Sequence, residues 1–139
     1  MKYKTIFISL VVLSFFLAGC ADSPERAARE WLDAIAKLDG NKILERTCLA
    51  KRPDMEEFGL LNSAFALLPQ LFGLNIQSKG DISSLNFTRT SMNAEETAAT
   101  VRVHGEVRVA ILAFARSEQA DETWQMVRED GVWRWCGLY

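Results

Sequence analysis

Catalysis needs side chains that titrate, attack or ligate. This chain of 139 residues is sparing with the most versatile of them: one histidine, His104, and three cysteines, Cys20, Cys48 and Cys136. General acid–base chemistry asks for two suitable groups converging in a dry pocket. His104 stands in "ATVRVHGEVRV" beside Arg102, Glu106 and Arg108, on the charged side of an alternating segment, which assigns it to a solvated face. Asp33 follows Trp31 and Leu32 but takes the polar side of a helical pattern. Ser63 in "LNSAF" lacks a base partner at readable spacing, and Tyr139 is the last residue, where fraying is the default. The sequence contains no glycine-rich phosphate loop and no nucleophile elbow, and Cys48, Cys136 and a lone histidine do not make a zinc site. The expectation is therefore a non-enzymatic domain without a metal or cofactor. An isomerase or hydrolase using Asp33 or His104 is the alternative.

Cys20 suggests a different chemistry. Lys2 and Lys4 precede an uncharged apolar run, Thr5 to Ala18, that falls short of the roughly 20 residues a membrane-crossing helix needs but suits the core of a secretion signal. The run ends in Leu17, Ala18, Gly19 and Cys20, which resemble the bacterial lipobox. That resemblance implies a signal peptide over residues 1–19, a diacylglyceryl group on the Cys20 thiol and a further acyl chain, such as palmitate, on its new amino terminus. Each buried methylene contributes about 0.8 kcal/mol, and two or more chains hold durably where one does not. The implied product is anchored on the extracytoplasmic face of a bacterial membrane, with a linker over residues 20–22 and one domain over 23–139.

The formal net charge is −2 and becomes more acidic once Lys2 and Lys4 are removed. No basic block is present, which argues against nucleic acid as a partner. With Cys20 acylated, Cys48 and Cys136 are the remaining thiols, in a compartment where disulfides persist, and a structural bridge between them is expected.

The elements that position these residues are legible at both ends of the chain. Ser23, Pro24 and Glu25 make a helix start, after which Ala28, Trp31, Leu32, Ile35 and Leu38 recur at helical spacing up to Gly40. A second helix is predicted over Asn41–Leu49, with Ile43, Leu44 and Thr47 or Cys48 inward. A third is predicted within Met55–Phe72, interrupted at Gly59 and Pro69. Its apolar residues almost ring it, which suits either a core plug or a face for a ligand or partner.

After a loop over Gly73–Gly80 the period changes to two. Strands are predicted over Ile82–Met92 and Ala99–Val109, the second continuing through Ala110–Ala115 past a bulge permitted by Gly105. Asp130 and Gly131 form a type I′ turn pair joining "TWQMVRE" to "VWRWCGLY". A two-residue loop opposes Arg128 to Trp133, Met126 to Trp135 and Gln125 to Cys136, gathering Trp124, Met126, Trp133 and Trp135 on one face. Cys136 then points away from that face, so a bridge to Cys48 requires a bulge after Trp135 or the edge of the sheet.

Helices followed by an antiparallel sheet define an α+β class. The segments "SPERAAREWLDAIAKLDGNKILE" and "MVREDGVWRW" resemble small bacterial lipoproteins with the nuclear-transport-factor-2-like, or cystatin-like, cone fold. The resemblance implies three N-terminal helices packed on a curved sheet of about four strands, with a cone whose open end holds a small ligand. Trp31, Phe65, Trp124, Trp133 and Trp135 are the candidate lining. A small apolar ligand or an envelope protein is the expected partner, with a purely structural module at the membrane as a further alternative.

Overall fold

The computed structural model describes residues 22–59, 78–111 and 114–139. Phe65, Ser63 and most of the predicted third helix lie outside them, as does Cys20. Helix α1 spans Pro24–Lys37, with Ser23 Oγ accepting from Arg26 N–H at 3.2 Å and proline in the first turn, as the capping residues predict. It ends earlier than Gly40: Leu38 adopts a left-handed conformation (φ 55°), and the amides of Leu38 and Asp39 close onto the carbonyls of Ile35 and Ala34. That cap turns Leu38 outward, and it is exposed rather than inward.

Asp39 then caps α2, Gly40–Glu45, by accepting from Lys42 N–H. The predicted second helix stops short because Arg46 ends it and Thr47 bridges to Trp135 in parallel. Trp135 N–H donates to Arg46 O at 2.8 Å, and Cys48 N–H donates to Trp135 O at 2.9 Å. A 3-10 turn at Leu49–Lys51 leads into helical residues 52–59.

Among the described residues the sheet is antiparallel and has five strands rather than about four: β1 Ser78–Asp81, β2 Leu85–Met92, β3 Ala98–Ile111, β4 Phe114–Glu129 and β5 Val132–Leu138. β1 and β2 pair in succession along one edge of β3, while β4 takes the other edge and β5 follows. Residues 78–80 thus belong to a strand, not to the predicted loop. Of the predicted continuation Ala110–Ala115, Ala110 and Ile111 do extend β3, but Phe114 and Ala115 pair back onto them and open β4, a strand of 16 residues.

Alternation holds where α1 covers the sheet. Ala99, Val101 and Val103 are buried, while Val107 is half-buried and Val109 is 42% exposed. The core joins Ala27, Ala28 and Trp31 of α1 to Leu85, Val101, Val103, Trp124, Met126, Trp133 and Trp135 of the sheet.

The last hairpin keeps its predicted register, with Arg128 opposite Trp133 and Met126 opposite Trp135, and with Asp130 and Gly131 at positive φ. The register then slips, and Trp124 pairs with Leu138. Both of the conditions for a bridge are therefore met, an irregularity after Trp135 and a segment lying along the sheet edge. Cys48 and Cys136 are joined, with Cα atoms 5.2 Å apart.

Candidate functional site

The helix-facing side of the sheet gathers the tryptophans. Trp31 stacks on Trp135 with ring centroids 4.2 Å apart and meets Trp124 edge-on at 5.3 Å. Its indole N–H donates to Thr47 Oγ1 at 2.9 Å, and that hydroxyl donates to Ile43 O at 2.6 Å. Thr47 is wholly buried. Beside this cluster opens a cavity of about 590 Å³ lined in part by Trp31, Met55, Trp124, Trp135 and Gly137, with Lys51 and Asp54 ion-paired at its rim.

A second hollow of about 470 Å³ continues along β4, over Val107, Val109 and Ala120. Glu122 lines both, so the two hollows meet at one side chain, and together they are termed the groove. The position of Glu122 follows from register. It pairs with Val103, two residues from inward-facing Trp124, and its carboxylate accepts from Trp124 Nε1 at 3.0 Å. Arg116 and Glu118, further along the same face, pair with each other at 2.8 Å. The groove thus has an apolar, aromatic floor with a carboxylate held by an indole at its middle. An indole donates a hydrogen bond but does not titrate in the working range, so the Glu122–Trp124 pair orients an acceptor instead of relaying a proton.

Of the predicted lining, Trp31, Trp124 and Trp135 converge on the groove. Trp133 is buried in the same core but lines neither hollow, and its backbone N–H is used by Asp22. Glu122 was not among the candidates, because "ARSEQADET" shows no apolar alternation, and Val107 and Val109 were legible as alternating strand residues but not as lining. Counting back by twos from Trp124 is the one signal that finds Glu122, Ala120 and Glu118 on the inner face.

Asp33 and His104 are not brought together. Asp33 accepts from Lys37 Nζ at 2.7 Å on the exposed flank of α1. His104 lies on the opposite face of the sheet from α1, between the cross-strand neighbours Asn86 and Asp121. On that outer face Arg102 grips Asp121 through two hydrogen bonds of 2.7 and 2.9 Å. The guanidinium holds the Asp121 carboxyl below its usual range, first by hydrogen bonding and further by charge. Hydrogen bonding from Arg108, then from Ser117, does the same for Glu106.

Among the described residues no group of three or more His, Cys, Asp or Glu side chains could hold a metal ion, and no helix is long and apolar enough to cross a membrane. Fold and groove together define an α+β domain with helices first in the chain, an open antiparallel sheet and a tryptophan-floored hollow on the helix-facing side. No protein-family model, curated protein or solved structure matches the chain.

Proposed function

We propose that this chain is a lipid-anchored extracytoplasmic domain that binds a small apolar ligand in the groove over Trp31, Trp124, Trp135, Val107 and Val109. In this reading Cys20 carries the anchor on a bacterial membrane, and the sheet and α1 form the cone of the nuclear-transport-factor-2-like fold. The single observation that carries the ligand reading is that, among the described residues, an aromatic-floored hollow and a second one over the apolar residues Val107, Val109 and Ala120 share Glu122 in their lining. Hollows of this volume with a largely apolar lining and a few polar groups are the usual form of a small-molecule site. Support for the anchor comes from the lipobox residues Leu17–Cys20 and from a domain that begins almost at once after them.

Titration with non-ionic long-chain alcohols, read by tryptophan emission, tests the groove. Saturable binding is expected, and Val109→Glu, a change at an exposed floor position, is expected to weaken it about tenfold, or about 1.4 kcal/mol. Absence of saturable binding would remove the ligand reading and leave docking of an envelope protein as its replacement. Globomycin treatment followed by mass measurement of the amino terminus tests the anchor, which requires two or more acyl chains on residue 20.

A further inference from the structure

Asp22, two residues beyond the proposed anchor, is built into the fold. Its carboxylate accepts two hydrogen bonds of 3.2 Å from Arg46 Nη1 and one of 2.8 Å from the Trp133 backbone N–H. Arg46 is also ion-paired with Glu30 of α1 and donates to Trp133 O at 3.4 Å. The Arg46 and Asp22 side chains are 14% and 23% exposed, so water screens this pair far less than a surface one. Three parts of the molecule meet at one carboxylate: the entry to α1, the segment after α2, and β5. Ser23 caps α1 immediately afterwards, and Pro24 is buried.

We infer that this end of the domain, around Asp22, Glu45, Arg46 and the β4–β5 turn, is the surface held against the lipid headgroups. The inference rests on the acylation of Cys20 proposed above and adds an orientation to it. Two Cα steps of about 3.8 Å separate Cys20 from Asp22, so the tether beyond the latch has at most about 8 Å of reach. β4 ends at the turn beside this latch and spans 16 residues, so its start lies up to about 50 Å away measured along the strand, at about 3.3 Å per residue. Asp22 shares a surface hollow with Arg26, Glu45, Gly131 and Val132, so these residues face the headgroups with it. Position 117, near the start of β4, is free to stand away from the membrane.

The test uses the full chain, acylated in a bacterial host, purified with its disulfide intact and placed in phosphatidylcholine vesicles. An environment-sensitive fluorophore is attached to Glu45→Cys or to Ser117→Cys, and a headgroup-nitroxide lipid serves as quencher. Loss of most emission is expected at position 45 with little loss at 117. Inserting a six-residue Gly-Ser spacer between Ala21 and Asp22, which leaves the latch untouched, should bring the quenching at 45 down towards that at 117. Equal quenching at the two positions in a chain whose mass shows the acyl groups overturns the orientation alone. So does a spacer that changes nothing. A chain whose mass shows no acyl group overturns the anchor and the orientation together.

Discussion

Trp31 carries an indole N–H into the core, and Thr47 satisfies it at 2.9 Å with a hydroxyl that itself reaches Ile43 O. Thr47→Val keeps the shape and leaves the indole unpaired. It is expected to cost about 1–3 kcal/mol, seen as a lower urea midpoint at unchanged slope, and Thr47→Ser should recover part of the loss. The Trp31 position was legible from helical spacing. Thr47 was legible only as an inward residue of a helix that ends before it, because its role depends on the pairing of Arg46–Cys48 with β5. On the outer face the Arg102–Asp121 pair predicts a pH dependence. A carboxyl whose folded value is lowered adds stability that is present above the ordinary value of 3.8 and is lost as pH falls through the lower folded value. Thermal melts of the protein and of Asp121→Asn should therefore differ at neutral pH and converge in the acid range below 3.8. The gap should also shrink with salt, because both side chains are solvated.

At the scale of elements, two devices shape the sheet. Gly105 sits where β2 joins β3, at φ 134°, and a methyl group there would press into Ser84 O. Gly105→Ala combines an unfavourable backbone angle with a backbone clash and is expected to destabilise by roughly 1–3 kcal/mol, measured by chemical denaturation. The second device is the Cys48–Cys136 bridge, which closes a loop of 88 residues and contributes about 4–5 kcal/mol in the chain-entropy picture. Reduction, or Cys48→Ser, should lower the denaturation midpoint correspondingly, and a non-reducing mass measurement reports the bridge directly. Taking Cys20 out of the thiol count named the pair, and hairpin register stated the condition under which they meet. The slip after Trp135 and the edge pairing of Arg46–Cys48 were out of reach, since neither has a local sequence signal.

At the scale of the whole molecule, among the described residues α1 covers one part of a long sheet, and the groove lies on the same face beside and beyond it. If the groove holds an apolar ligand, saturating it at a hundred times its Kd should raise stability by about 2.7 kcal/mol, read as a ligand-dependent rise in Tm. The tenfold weaker Val109→Glu should cut that rise to about half, about 1.4 kcal/mol at the same ligand concentration, while leaving the unliganded Tm nearly unchanged, because Val109 is 42% exposed. The sequence by itself determined the α+β class, the start of α1, the register of the last hairpin and the tryptophans of the core. These depend on capping, period and turn chemistry, which act over a few neighbouring residues. The tertiary structure decided the reversal that makes β4 a long strand, the inward placement of Glu122, the edge pairing that meets Cys136 with Cys48, and the latch on Asp22. Each of these joins residues far apart in the chain through backbone pairing or a shared carboxylate, and no local pattern encodes such a partner.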